Sequence, residues 1–478
     1  MRRSSLIRRA AELTRADQLL AGYASACLLL GGASAAGAIA NGALQLAAVA
    51  ILAWAILTRE TGSELQPESP RLFRALLIGV ALLAAAQLTR LPPAIWSSLP
   101  GRAPIARELA LFGQPLPWLP LSLAPDRAVN SLLALLPFLA TLVLAMRSTA
   151  EGRVAFAWTA IVVAALSIPV GAAQLFSGGA SSLYFYQITN RTDAVGFFAN
   201  RNHLATLFLM TLPFVAALGA RNEQSERKAK ARSRPLYLGC FVFLTFGTAL
   251  NGSSAGLALL APCIAISVLI FLRAIGRPVR NRHVVVGATV IAAALLFVSV
   301  GPYRGRFLDK AISGGNSATR ATSISLTAKA AKDFFPFGSG VGSFRHVYTR
   351  YENLQTLNNE YVNHAHDDWV EVALETGAFG IALLGGLVVW LALQGVALWK
   401  GATRTGSLAR ASLTAVAILM LHSLVDYPAR TAAILCMAGA GLGMVAVPKP
   451  ASRSGGRARS ADPAERDDAP SARVFVAD

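Results

Sequence analysis

The sequence predicts an all-α, polytopic integral membrane protein, and three observations lead to that prediction. Of the 478 residues 54% are hydrophobic and only 14% are charged, which gives a mean hydropathy of +0.50. Apolar runs of about 20 residues recur along the chain, and a helix of that length crosses the hydrocarbon core of a bilayer. Lysine and arginine collect between these runs, as the positive-inside rule requires of cytoplasmic segments.

The apolar runs predict a membrane domain, residues 18–447, of about twelve helices with both termini in the cytoplasm. The arginine-rich residues 1–17 form the predicted cytoplasmic N-terminus. Residues 448–478, rich in Ser, Arg, Pro and Ala, are predicted to be a disordered cytoplasmic tail. The predicted helices lie near residues 18–39, 42–58, 73–90, 128–146, 154–175, 203–220, 236–250, 255–272, 284–301, 376–398, 411–425 and 431–447.

The longest polar segment, residues 302–375 between the ninth and tenth helices, falls on the outer side of the membrane by alternation. Apolar residues at helical spacing over residues 317–335, ended by Pro336, predict an amphipathic helix on the outer membrane face with Arg320 in its first turn. The glycines of residues 338–342 lack the strand and helix that flank a nucleotide-binding loop. We interpret them as a flexible turn.

The outer segment is strongly basic. Eight Lys or Arg residues and only two acids fall within residues 302–350. Topology does not require positive charge on this side, so the excess favours an anionic ligand, and the planar fork of Arg320 or Arg345 suits phosphate. A solvated surface, or adhesion to anionic lipid headgroups, is the alternative.

The densest group of polar residues is the histidine motif, residues 363–371, where the outer segment meets an apolar helix. A histidine here could take a proton from a hydroxyl group, because its ordinary pKa is close to neutral. The alternatives are a structural pair, His364 and His366, or a metal site, although the two-histidine helical spacing of zinc proteases is absent. Acids four residues apart, beginning at Asp367, share one helix face and are expected to need an arginine of the outer segment, a metal ion or water beside them.

Polar residues also gather at the outer ends of other predicted helices. Asp426 follows the eleventh helix, where it could pair with Arg430 or with an arginine of the outer segment. Ionisable groups at membrane depth are costly and often functional, although at a helix end they can reach water cheaply. Four polar residues begin the sixth helix, namely Asn200, Arg201, Asn202 and His203.

Five segments, taken in order, resemble the O-antigen ligase and polymerase family of bacterial envelope glycosyltransferases. The resemblance runs over about half the chain, and it depends on the order of the segments because no single one is specific. The segments are GFFANRNHLA at 196–205, LNGSSAG at 250–256, FPFGSGVGSF at 335–344, NHAHDDWVEVALETGAFG at 363–380 and HSLVDYP at 422–428.

The resemblance implies a GT-C-like membrane enzyme of the bacterial inner membrane whose active site faces the periplasm. Such an enzyme transfers a glycan from an undecaprenyl diphosphate carrier to an acceptor hydroxyl, with inversion and without a metal or other cofactor. Arg320 matches the family's arginine that neutralises the diphosphate leaving group. His366 matches the histidine that activates the acceptor or positions the donor, and His364 is its neighbour.

Two positions depart from the family pattern. The family often has Ser-Arg where this chain has Ser253-Ser254, so one phosphate contact is missing, and Arg201 is the candidate replacement. Asp367 stands where the family often has asparagine, so a carboxylate could orient the preceding histidine. The expected substrate-binding residues are His364, Asp367, Asn200, Arg201, Asn202, His203, Ser253, Arg345 and Asp426.

The expected partners are membrane lipids, the lipid-linked glycan donor, and an acceptor. A growing polysaccharide as acceptor would make the protein a polymerase, and lipid A core would make it a ligase; the sequence leaves these open, together with a protein acceptor. The net charge of +19 follows membrane topology, so we expect no nucleic acid partner. The alternative function is a lipid or glycan transporter without chemistry, which predicts polar residues at the membrane midplane.

Overall fold

The computed structural model describes residues 13–34, 37–58, 71–223, 227–277, 316–352, 362–400 and 406–447. Over these residues the fold is helical, apart from two-residue strands β1 (Arg90–Leu91) and β2 (Leu119–Pro120), which pair antiparallel. The helices are α1 (Arg15–Leu30), α2 (Ala38–Leu57), α3 (Arg71–Leu88), α4 (Pro93–Trp96), α5 (Ala103–Ala110), α6 (Pro125–Leu133), α7 (Leu136–Arg147), α8 (Ala150–Phe176), α9 (Arg201–Asn222), α10 (Arg227–Asn251), α11 (Ser254–Ala274), α12 (Asn316–Asp333), α13 (Phe344–Tyr348), α14 (Asp368–Lys400), α15 (Ser407–His422) and α16 (Ala432–Ala446), with a 3-10 turn at Pro428–Arg430.

The predicted all-α membrane class is confirmed. Eight helical segments in the described residues are long and apolar enough to cross a membrane, and the α6–α7 pair counts as one of them. Helices α15 and α16 are apolar but shorter. The predicted ninth helix, residues 284–301, and the predicted terminal segments 1–12 and 448–478 lie outside the described residues, so the total of about twelve helices stays a prediction.

Helix α9 is the centre of the fold. Every residue from Asn202 to Ala220 is buried, and the helix packs against α8, α10, α11 and α15. Large apolar side chains such as Phe208 and Phe214 lie in the main hydrophobic cluster. Because the whole helix is enclosed, the polar residues at its N-terminal end are also enclosed, and they need partners from neighbouring helix ends.

A break at Gly377 divides α14 into a short first part, which carries the acids of the histidine motif, and a long apolar second part. Gly377 has φ 58° and ψ −143°, and a Cβ atom there would lie 2.1 Å from the carbonyl oxygen of Pro336. The same carbonyl oxygen accepts a hydrogen bond from the backbone N–H of Ala378 at 2.8 Å. Glycine is therefore required where the outer segment docks into the break.

Helix α12 confirms the helix predicted over residues 317–335 and lies beside the first part of α14. Near its C-terminal end Ala330 and Phe334 share a hydrophobic cluster with Leu374 of α14. This packing fixes the direction of α12, whose N-terminal turn carries Arg320.

The glycine-rich loop after α12 is packed, and the expectation of a flexible turn is wrong. The backbone N–H groups of Ser339 and Gly340 donate to the carbonyl oxygens of Leu374 and Glu375 at 2.9 and 2.8 Å. A Cβ atom at Gly340 would lie 2.1 Å from the Cα of Ser122, so the loop has no spare room on that side. Ser122 could not be recognised as a partner of this loop beforehand, because it lies 219 residues before Val341, whose carbonyl oxygen accepts its hydroxyl.

Candidate active site

Three helix ends meet around Asp426, which is fully buried in the loop after α15. Its Oδ2 accepts a hydrogen bond from the side-chain amide of Asn202, at the start of α9. The Oδ1 of that amide accepts a hydrogen bond of 2.7 Å from the hydroxyl of Ser253. Ser253 also caps α11 by accepting the backbone N–H of Gly256 at 3.0 Å. Three of the predicted residues, far apart in sequence, therefore form one network.

The side chain of His366 lies next to Asp426 in this network. Its Nδ1 is 3.5 Å from Oδ1 of Asp426, and its side chain is 22% exposed. The backbone of His366 has φ 57°, a left-handed conformation that costs a residue with a Cβ about 1–2 kcal/mol. Strained residues of this kind cluster at functional sites, where surrounding contacts hold them in place.

Arg320 completes the cluster from α12. Its charge acts on Asp426, His422 and Tyr427. Its buried Nε has no hydrogen-bond partner among the described residues. His366 thus lies beside Asp426, and the charge of Arg320, the other residue predicted to carry the chemistry, acts on the same carboxylate.

The pKa of Asp426 is set by burial and by the neighbouring side chains. Burial by itself would raise the pKa of Asp426, but the contact with His366 and the charges of His203 and Arg320 outweigh burial and lower it. Asp426 is therefore ionised at neutral pH. A buried carboxylate that stays charged needs cationic or hydrogen-bonding neighbours, which this site supplies.

The ring of Tyr427 packs against three histidines of the site. Its ring centroid lies 5.2 Å from that of His203, 4.6 Å from that of His364 and 5.1 Å from that of His366. Burial raises the pKa of the Tyr427 phenol above its ordinary value, so the ring stays neutral. His203 lies deepest, and neither of its ring nitrogens has a hydrogen-bond partner among the described residues.

A second set of charges lies on the first part of α14. The Nδ1 of His364 is 2.9 Å from Oε1 of Glu371, and Arg430 reaches that same oxygen with Nη2 at 3.2 Å. The Nε of Arg430 is 3.0 Å from Oδ1 of Asp368, and the other oxygen of Asp368 accepts the hydroxyl of Ser423 at 2.9 Å. The arginine beside these acids is Arg430, which follows α15, and not one of the expected arginines of the outer segment.

This arrangement decides between the two partners expected for Asp426. Arg430 binds Asp368 and Glu371, whereas the arginine whose charge acts on Asp426 is Arg320, from the outer segment. Glu371 and Arg430 were not predicted as site residues. The four-residue spacing of the acids was the only signal for Glu371, and nothing local marked Arg430 as its partner.

Asp367 and Arg201 have structural partners that the sequence did not indicate. Asp367 caps α14, since its Oδ1 accepts the backbone N–H groups of Trp369 and Val370 at 2.9 and 3.1 Å, and the carboxylate beside His366 is Asp426. Arg201, expected to replace the missing arginine, forms an ion pair of 2.9 Å with Asp193. Arg345 lies on α13.

Asn200 caps a helix and also contacts the phenol of Tyr427. Its side chain accepts the backbone N–H of Asn202 at 2.8 Å and so caps α9. A helix end without such a cap would leave N–H groups unpaired beside the site.

The donor set of the described residues contains no group of three or more His, Cys, Asp or Glu placed to hold a metal ion. The groups that are present favour a different chemistry. An arginine with a spare N–H suits a phosphate oxygen, and a partly exposed imidazole can accept a proton.

Residues 239–385 match a family model described as O-antigen ligase. The match begins in α10 and ends in α14 just beyond the break, so it includes Ser253, Arg320, His364 and His366. It confirms the family resemblance and includes three of the five segments, those at 250–256, 335–344 and 363–380. No curated protein matches the chain.

Proposed function

We propose that this protein, whose O-antigen ligase match supports a role in glycan transfer during polysaccharide assembly, uses a glycan carried on undecaprenyl diphosphate as its donor. The transfer goes to an acceptor hydroxyl on the periplasmic face of the bacterial inner membrane, with inversion and without a metal. The protein then acts as an O-antigen ligase or as a surface-polysaccharide polymerase. The observation that carries the proposal is the meeting of Arg320 and His366 at one ionised carboxylate, Asp426.

Arg320 supplies charge to the leaving group. When the bond from the sugar's anomeric carbon to the diphosphate oxygen breaks, negative charge develops on that oxygen, and a fixed guanidinium stabilises it. The unpaired Nε of Arg320 leaves an N–H for a phosphate oxygen. Asp426 does not consume this capacity, because its oxygens already face Asn202 and His366.

The imidazoles supply proton transfer and donor orientation. The acceptor oxygen forms its bond to the anomeric carbon from the face opposite the diphosphate, so a single displacement inverts the configuration. The hydroxyl proton must pass to a base in the site, and a positioned histidine contributes about 10²–10⁴-fold to such a step. His366, beside Asp426, can act there or hold the donor sugar.

A reconstituted transfer assay tests the proposal. Purified protein in liposomes receives a short glycan on undecaprenyl diphosphate with chelator present, and mass spectrometry sizes the products. We expect transfer by the wild type, none detectable by His366→Ala or Arg320→Ala, and poor rescue by Arg320→Lys, because lysine lacks the planar fork. Arg350→Ala is the matched control, since Arg350 pairs with Glu108 at an exposed position.

Normal transfer by the alanine variant of either residue would remove that residue from the mechanism. Longer lipid-linked glycans from donor alone would identify a polymerase, and products that need added lipid A core would identify a ligase. A donor that crosses the bilayer unchanged would indicate a transporter and would contradict the proposal.

A further inference from the structure

We infer that the base that takes the acceptor's proton is His364, and that Glu371 is its positioning residue. The inference rests on the proposed glycan transfer and divides the work within that site. His366, the histidine that the family resemblance favours, is left to position the donor together with Arg320.

The hydrogen bond to Glu371 fixes the proton on one side of His364. The Nδ1 of His364 lies 2.9 Å from Oε1 of Glu371, and an ionised carboxylate can only accept hydrogen bonds. The neutral ring therefore carries its proton on Nδ1, and the lone pair on Nε2 is available to a hydroxyl group. The hydrogen bond found for the His364 ring among the described residues is the one through Nδ1, and the side chain is 18% exposed.

Glu371 is itself held in place. Its side chain is 2% exposed, its Oε2 accepts the backbone N–H of Ala365 at 2.8 Å, and its Oε1 is 3.2 Å from Nη2 of Arg430. The ring of His364 packs on Tyr427, with 4.6 Å between ring centroids. A base with its tautomer and ring plane both fixed has the arrangement that carboxylate–histidine pairs provide in hydrolytic enzymes.

His366 lacks this arrangement. Its Nδ1 is 3.5 Å from Oδ1 of Asp426, beyond the usual range of about 2.7–3.2 Å for an N–H···O hydrogen bond, and neither atom has a hydrogen-bond partner among the described residues. The contact attracts charge but does not select a tautomer. Because Asp426 also lies near Arg320, His366 stands on the side of the site where the diphosphate binds.

The proposed step balances without a further reactant. The acceptor oxygen bonds to the anomeric carbon as its proton moves to Nε2 of His364, and the bond from that carbon to the diphosphate oxygen breaks with its electron pair. Undecaprenyl diphosphate leaves beside Arg320. The imidazolium formed at His364 is stabilised by Glu371 and then loses its proton to water.

The test compares steady-state kinetics of single variants in the reconstituted assay. Glu371→Gln should lower kcat about 10- to 100-fold and leave KM for donor and acceptor nearly unchanged, because it acts only through the imidazole. Glu108→Gln is the matched control. It makes the same carboxylate-to-amide change at an exposed pair with Arg350, outside the network of Arg430 and His364, so kcat should stay within about threefold.

Chemical rescue separates the two histidines. His364→Ala should lower kcat about 10²–10⁴-fold, and added imidazole should restore at least tenfold of that loss. His366→Ala should not respond to imidazole, because its loss is one of donor positioning. If His364→Ala and Glu371→Gln both keep wild-type kcat, or if imidazole rescues His366→Ala and not His364→Ala, the inference fails while the transfer function stands. Absence of transfer by the wild type would overturn the function itself.

Discussion

Arg430 is the residue at which the buried charges of this site can be tested most directly. Its guanidinium lies 3.0 Å from Asp368 and 3.2 Å from Glu371, whose side chains are only 10% and 2% exposed. Arg430→Gln would leave both carboxylates without their counter-charge. Removing one partner of a buried ion pair costs about 3–5 kcal/mol of unfolding free energy.

Protonation of one carboxylate in the variant would lower the unfolding free energy by a similar amount. The variant could escape repulsion by binding a proton on one carboxylate. At pH 7 this costs about 4 kcal/mol, because the ordinary carboxyl pKa is close to 4 and each unit is worth about 1.4 kcal/mol. A carboxylate whose pKa is raised in the folded state destabilises most at high pH, so the loss should shrink by about 2.7 kcal/mol between pH 7 and pH 5.

The assay is unfolding by titration with SDS in mixed micelles at both pH values. Arg350→Gln is the control, because Arg350 binds Glu108 with both Nη atoms but at an exposed position, where salt and water weaken the pair. We expect no measurable change from that variant. If Arg430→Gln is as stable as the wild type at pH 7, or if its loss does not depend on pH, the account of a buried, compensated cluster is refuted.

The other predictions concern the packed loop and the ionised carboxylate. Gly340→Ala should lower the unfolding free energy by about 2–5 kcal/mol in the same titration, because the positive φ is strained and the new Cβ collides with Ser122. Gly113→Ala is the control: its φ is +67° but no atom lies within 4 Å, so it should lose only about 1–2 kcal/mol. Equal losses would contradict the packing argument. Because the pKa of Asp426 is lowered on folding, its charge stabilises the fold above the ordinary carboxyl pKa. The stability advantage of the wild type over Asp426→Asn should therefore stay constant from pH 8 to pH 5 and decline only below about pH 4, and its disappearance between pH 7 and pH 5 would show that Asp426 is not held ionised.

The sequence was informative wherever a feature depends on local spacing. Helix α12 was predicted over residues 317–335 and is found at Asn316–Asp333, because apolar periodicity and a following proline are local signals. The polar helix ends were also recognisable, since charged and amide side chains beside apolar runs are unusual. Asn202, Ser253 and Asp426 were named for that reason, and they form one network.

The partners within the site could not be predicted, because pairing depends on how distant segments pack. The spacing of Asp367, Glu371 and Glu375 placed them on one helix face, yet their roles differ. Asp367 caps the helix, Glu371 holds His364 and Arg430, and Glu375 accepts the backbone N–H of Phe344 at 3.2 Å. Periodicity assigns a residue to a face of its helix but says nothing about what packs against that face.

The break at Gly377 was missed for a related reason. A glycine within an apolar helical pattern does not by itself indicate a break, since it is often tolerated or allows close packing. The positive φ of Gly377 is explained by the docking of Pro336 against it. The prediction of an apolar helix beginning near residue 376 was close to the position of the break, because hydropathy rises there. The acids before the break therefore lie on a separate short helix that precedes the apolar part of α14.

The ionic contacts of Arg430 and Arg320 indicate which of the two can bind an anionic substrate. Arg430 already faces two carboxylates, so it has no net positive charge to offer a diphosphate. Arg320 forms no ion pair within 4.0 Å among the described residues, and its charge acts on Asp426, whose oxygens face Asn202 and His366. A buried N–H without a partner is costly unless a ligand satisfies it. Of these two arginines, Arg320 is therefore the one that we propose for the donor.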